Sequence, residues 1–254
     1  MNGTSANGAK PLRRMANIAL LIDADNATPA SLDPVLTVLA ELGTVNIRRA
    51  YGNWNKASLK GWSDISHQYA IEPHQQFDVT RGKNATDMKM TIDAMDLLFG
   101  GRVDGFGIMS SDSDFAPLVM RIRQDGLPVY GFGEDKAPPA FRQACTRFIE
   151  VKAIALRADP AIAAPRKPIG KDIVELLRSA LEASKRDERG FASLSEVGSR
   201  AGNRSSFDAR SYGFQRLSDL MEAIPGLVIE KREGGGVFVK AAMPGKPAAR
   251  KTDG

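Results

Sequence analysis

The chain has 254 residues, is 43% hydrophobic and carries a net charge of +5 with one cysteine, Cys145. That length allows one large domain or two modest ones. A single cysteine excludes a disulfide framework and a cysteine-based zinc site, and the two histidines, His67 and His74, have no plausible zinc partner set. The first fourteen residues lack an apolar core, so no signal peptide is expected. No apolar run nears the roughly 20 residues that span a bilayer, and a reducing, cytoplasmic setting fits.

Residues 16–22 form a short apolar run ending in polar residues, which reads as a buried central strand. Residues 29–42 place Leu32, Val35, Leu36, Leu39 and Leu42 at helical spacing, with Pro29 near the start and Gly43 after the end. Residues 44–50 alternate like a strand, 57–69 look helical and 70–77 extended. Residues 86–99 carry Met88, Ile92, Met95 and Phe99 on one stripe, an amphipathic helix beginning beside Asp87. A strand at 103–109, a helix at 114–125 and a strand at 127–132 follow. Strands alternating with helices imply an α/β domain with a mostly parallel sheet covered on both faces.

Residues 157–170 hold three prolines without periodicity and read as a semi-stiff linker. Beyond it the spacing predicts helices over 172–184, 193–201 and 211–223, then strands over 227–231 and 236–240 around Glu233-Gly234-Gly235-Gly236, a hairpin signal. Three helices and a hairpin read as a small winged helix. The expected layout is therefore a tail at 1–14, an α/β domain at 15–152, a linker at 153–170, a winged helix at 171–240 and a disordered basic tail at 241–254. Charge follows this division: residues 15–152 sum to −3, residues 153–254 to +5. A basic module beside an acidic one suits a polyanionic partner.

Acidic residues gather where such a sheet ends. Asp23 leaves the first strand, followed by Asp25 and Asn26. Asp87 opens the Met88 helix, and Asp112 and Asp114 lie in Ser110-Ser111-Asp112-Ser113-Asp114-Phe115, after another strand. Carboxylates at the carboxyl ends of parallel strands face one crevice. Clustered carboxylates repel unless a cation sits between them, and oxygen-only ligands suit Mg²⁺ or Mn²⁺, the apparatus of phosphodiester hydrolysis. Each acid also has a structural reading: Asp25 or Asn26 can cap the next helix, Asp112 and Asp114 can decorate a helix start, and Asp87 is an acid in a first turn. Asp93 lies about 240° round the helix from Asp87 and is secondary. Trp54 and Trp62 alternate with Lys56 and Lys60, which suits a single-stranded nucleic acid or simple packing under solvated lysines. Arg81 and Lys83 flank Asp87 as further phosphate candidates.

Ile22-Asp23-Ala24-Asp25-Asn26, Gly82-Lys83-Asn84-Ala85-Thr86-Asp87 running on to Asp93, and Ser110-Ser111-Asp112-Ser113-Asp114-Phe115 together resemble the NYN domain, a branch of the PIN-like nuclease superfamily that includes LabA-like bacterial proteins. The resemblance covers residues 15–151. It implies a PIN-like fold and a Mg²⁺- or Mn²⁺-dependent ribonuclease with Asp23, Asp87, Asp112 and Asp114 as the acidic set and Asn26 in support. Ser111 departs from a pattern that often has Gly there. Leu194–Arg200, Phe207–Phe214 and Leu217–Leu220 resemble an OST-HTH/LOTUS domain over residues 170–240, which implies RNA or protein binding. Its basic candidates are Arg200, Arg204, Arg210 and Arg216. Two alternatives stand beside this reading: a non-catalytic RNA-binding adaptor that keeps the fold, and an aspartyl-nucleophile phosphatase built on Asp23-Ala24-Asp25. A homo-oligomer is left open.

Overall fold

The structure is a computed structural model that describes residues 15–77, 85–158, 167–232 and 235–242, with backbone only for 156–158. Strand β1 (Asn17–Asp23) is buried from Ile18 onward. A strand apolar on both faces needs a layer on each side, and it has them. Successive side chains alternate between faces. Ala19 and Leu21 join one core with Met90, Ala94, Val119, Ile122 and Phe141. Ile18, Leu20 and Ile22 join the other with Val35, Leu39, Trp62 and Ile154.

Around β1 the chain builds a six-stranded sheet in the order β3-β2-β1-β4-β5-β6. Its other strands are β2 (Thr44–Gly52), β3 (Glu72–Gln75), β4 (Gly105–Met109), β5 (Val129–Gly133) and β6 (Arg147–Glu150). Every adjacent pair is parallel. Helices α1 (Leu32–Ala40), α2 (Lys60–Ser66) and α6 (Val151–Ala158) serve one face, and α3 (Ala85–Phe99), α4 (Ala116–Gln124) and α5 (Pro139–Ala144) the other. The strand order reverses between β1 and β4. In open α/β sheets the crevice lies outside the carboxyl ends of the strands at such a point.

Two sequence expectations change here. Of the stripe, Met88, Ile92 and Phe99 are exposed and only Met95 packs partly on the core: α3 buries Thr86, Met90, Asp93, Ala94 and Leu98 instead. The helix carries two apolar faces, and periodicity cannot choose between them. Elements α5, β6 and α6 have no counterpart in the expected pattern, and α6 makes the first residues of the expected linker helical, with Ile154 buried in the core.

The second unit comprises α7 (Lys171–Glu182), β7 (Ala192–Ser193), α8 (Leu194–Gly202), a 3-10 turn at Ala209–Tyr212, α9 (Leu217–Glu222), β8 (Leu227–Lys231) and β9 (Val237–Ala241). Its strands form a separate antiparallel sheet in the order β7-β9-β8. Ile173, Leu177, Val197, Leu220, Met221 and Val239 fill its core. The helix expected at 211–223 breaks in two at Gly213, whose φ of 82° is left-handed and unstrained only for glycine.

The second unit packs on the free edge of β6. The Phe148 N–H donates to the Ser206 carbonyl (2.7 Å), and the Glu150 N–H donates to Ser211 Oγ (3.2 Å). Exposed edges invite pairing with other chains, and this contact occupies one. Arg210 joins the units by bonding both Asp208 and Glu41, and Lys167 donates to the buried Glu150 carboxylate at 2.8 Å. A groove of about 800 Å³ follows the junction, lined by Glu41 and Arg147 on one side and Ser195, Arg216 and Gly236 on the other.

Candidate active site

Asp23 is the last residue of β1 and is 1% exposed. Its Oδ2 accepts from Asn26 Nδ2 (2.8 Å) and from Ser110 Oγ (2.7 Å). Its Oδ1 is buried and has no hydrogen-bond partner among the described residues. An unpaired carboxylate oxygen in the interior is costly, and burial pushes the Asp23 carboxyl above its ordinary pKa against the pull of those two donors.

Ser110 follows β4 directly. Its Oγ also accepts the Asp112 N–H (3.1 Å), so one hydroxyl ties the end of β1 to the loop bearing the other acids. Asp112 caps the short 3-10 turn at Ser113–Phe115, its Oδ1 accepting the Asp114 N–H at 2.9 Å. The sequence offered Asp112 as charge at a helix start; here it is the cap itself, through Oδ1. Ser111, where glycine was the pattern, accepts the Glu134 N–H at 3.0 Å and fastens the loop to the end of β5.

Asp87 approaches from the first turn of α3. Asp87, Asp112 and Asp114 each offer a carboxylate oxygen within 4.8 Å of the others. Like charges this close disfavour ionisation. The Asp87 carboxyl is pushed up to about 6, first by burial and then by Asp23, Asp112, Asp114 and Asp25. Asp23 therefore stands within electrostatic reach of this trio, although the trio itself does not include it.

Asp93 lies elsewhere on α3, as its helical angle demands. It is buried and holds Tyr51 Oη (3.2 Å), Lys89 Nζ (2.6 Å) and His74 Nδ1 (3.3 Å). Tyr51 is in register with Asp23 on one side and His74 on the other. Asp93 thus fastens α3 to the same end of the sheet from which Asp23 emerges.

The aromatic and basic candidates scatter. Trp62 is buried in the core, its Nε1 donating to the Ala27 carbonyl (3.1 Å), and Trp54 Nε1 donates to the His74 carbonyl (3.0 Å). Trp62 is enclosed by the core, whereas Trp54 is only partly buried. Lys56 pairs with Asp25 at 3.2 Å and Lys60 with Asp64 at 2.7 Å. Arg81 and Lys83 lie outside the described residues. In the second unit Arg200 pairs with Glu196 (2.8 Å) and Arg204 donates to Ser179 (2.7 Å). Arg210 is engaged at the junction, and Arg216 lines the groove.

Ser110 was not among the candidate site residues legible in the sequence. The available signal was its position: it ends β4 as Asp23 ends β1. Asp25, read mainly as a cap, is instead a fifth acid whose charge reaches Asp87.

A family model for the NYN domain matches residues 17–154, and one for the OST-HTH/LOTUS domain matches residues 167–239, in that order along the chain. The uncharacterized protein MJ0482 of Methanocaldococcus jannaschii is 29% identical over 137 residues, 50% of this chain and 50% of its own length. The chain therefore spans about half of that curated relative. Among solved structures, a protein of unknown function from Vibrio parahaemolyticus, VPA0982, aligns at 20% identity with a TM-score of 0.47, covering 56% of this chain and 96% of that one. No helix among the described residues is long and apolar enough to cross a membrane.

Proposed function

The chain belongs to the NYN domain family, and on that premise we propose that it is a divalent-metal-dependent ribonuclease whose OST-HTH/LOTUS unit helps to hold the RNA. One arrangement carries the reading: three carboxylates gathered within 4.8 Å, beside a buried Asp23 oxygen that no described residue satisfies. Such a set is stable only when protonated or when it holds a cation. Its donors are all oxygens, which fits Mg²⁺ or Mn²⁺.

Asp87, Asp112 and Asp114 would hold the ion, and Asp23 would complete the set through Oδ1. When bound, the ion supplies a Lewis acid that stabilises charge on the phosphodiester oxygens. The chain's own residues keep this centre rigid. Asn26 and Ser110 lock the Asp23 carboxylate by its other oxygen. The Asp112 cap fixes the turn that presents Asp114. Asp93 anchors the helix that presents Asp87.

The groove between the units, lined by Arg147 and Arg216, opens at the amino ends of the strands, so an RNA held there would run on around the sheet to reach the acids at the carboxyl ends. An acidic crevice repels a polyanion until a cation fills it, so affinity must come from the basic half of the chain. The experiment is cleavage of end-labelled RNA by the full chain in Mg²⁺, in Mn²⁺ and in chelator, beside Asp23→Asn. Metal-dependent cleavage lost in Asp23→Asn is expected. Wild-type protein that binds RNA but cleaves it with neither metal would leave the adaptor reading in place of this one.

A further inference from the structure

The outward face of α3 carries an apolar stripe that is left exposed among the described residues. Met88, Ile92 and Phe99 are 66%, 53% and 68% exposed, and Met95 lies half-buried between them. At 100° per residue the four fall within about 60° of one another, away from the buried side formed by Thr86, Met90, Asp93 and Ala94. On the neighbouring α4, Arg121 lies 5.5 Å from the centre of the Phe99 ring. A helix apolar on both sides is ordinarily buried on both.

The stripe steps by four, three and four residues, which is the a/d repeat of helices that pair along their length. We propose that this face of α3 pairs with the same face of a second copy of the chain, the two helices running antiparallel about a two-fold axis between Ile92 and Met95. A closed two-fold contact requires a self-complementary patch. Reversing the helix sets Met88 against Phe99 and Ile92 against Met95 of the second copy, so both ends of the seam are filled.

Charge selects the same orientation. Lys89 and Asp96 occupy equivalent positions on one flank of the stripe. Antiparallel reversal brings Lys89 opposite Asp96 of the second copy, twice by symmetry. Parallel pairing would set this flank against the one that bears Thr91, which carries no charge. Lys89 already bonds Asp93, but an ammonium has three donors. The three exposed apolar side chains of the stripe offer roughly 370 Å² per copy, at about 200 Å² for each whole side chain. A stable interface takes about 800 Å² from each partner, so Thr91, Asp96 and Arg121 around the stripe must supply the remainder. In this pairing the two acidic crevices open near opposite ends of the helix pair, about 20 Å apart along its axis.

The test is the mass of the full chain by light scattering after gel filtration, over a concentration series. A two-chain mass that dissociates on dilution is expected. Ile92→Glu, at an exposed position, should move the dissociation midpoint at least tenfold higher while leaving circular dichroism unchanged. Orientation is read by mixing Ile92→Cys and Met95→Cys chains under oxidation, since native Cys145 is 1% exposed and does not interfere. Cross-linking between the two variants should exceed self-linking of either. A single-chain mass at every concentration, a dimer indifferent to Ile92→Glu, or preferred self-linking of Ile92→Cys chains would each overturn the proposal.

Discussion

Ser110 and Asp23 are 87 residues apart in the chain, yet Ser110 Oγ donates a 2.7 Å hydrogen bond to Asp23 Oδ2 across the adjoining ends of β4 and β1. The same hydroxyl accepts the Asp112 N–H, so one small side chain sets the spacing between the first acid and the later two.

Ser110→Ala should therefore damage the centre more than the fold. Asn26 still holds the same Asp23 oxygen, and the alanine fits the serine site. Outer-shell partners of this kind are worth about 10–100-fold in metal affinity or activity. Calorimetric Mn²⁺ titration together with single-turnover cleavage checks this. A lower melting temperature with unchanged Mn²⁺ affinity would mean that Ser110 serves packing alone.

The raised Asp87 carboxyl gives the metal-free protein a signature in pH. Its pKa in the fold is about 6, against an ordinary 3.8. A group raised by folding contributes stability that is complete below its unfolded value and lost as pH rises through its folded value. In chelator, stability should fall between about pH 4 and about pH 6 and then level off. Mn²⁺ should restore it above that window by neutralising the trio, and Asp87→Asn should flatten the slope. Melting temperatures from pH 4 to 8, with and without Mn²⁺, read all three effects, each ~1 kcal/mol appearing as about 2–4 °C.

Arg210 joins two carboxylates, one from each unit, with its own side chain 13% exposed and that of Asp208 5% exposed. Arg210→Ala leaves Asp208 buried with Arg147 at 4.0 Å as its nearest remaining cation. Removing one partner of a buried pair leaves an uncompensated charge. The loss here should be about 2 kcal/mol, below the fully buried case because Arg147 remains. Proteolysis should show it as faster cutting between the units, with the N-terminal unit still resistant. Unchanged cutting would mean that the β6 edge contact alone holds the units together.

Arg216→Glu probes the groove without exposing the β6 edge, as deleting the second unit would. RNA affinity should drop across all sequences, and the slope of log affinity against log salt should become shallower by about 1 for a lost phosphate contact. Metal-dependent cleavage at saturating RNA should persist. Fluorescence anisotropy at several salt concentrations measures this, and an unchanged slope would place the RNA elsewhere.

Local pattern alone determined much of this protein. Apolar runs ending in Asp23 and in Ser110–Asp114 announced two buried parallel strands delivering acids to one end of a sheet, because a strand buried on both faces cannot hide its apolar signal. The proline-rich break and the helix–helix–hairpin pattern after it announced a second unit. Tertiary structure decided what depends on contacts far apart in the chain. Only the strand order puts β4 beside β1 and lets Ser110 reach Asp23. Only the packing of α3 against β1 and β2 chose Met90, Ala94 and Leu98 over Met88, Ile92 and Phe99 as its buried side, since both sets repeat with the helix period and a period carries no direction. The docking of Ser206 and Ser211 on β6 left no local trace, because an edge strand reads the same whether it is bare or covered.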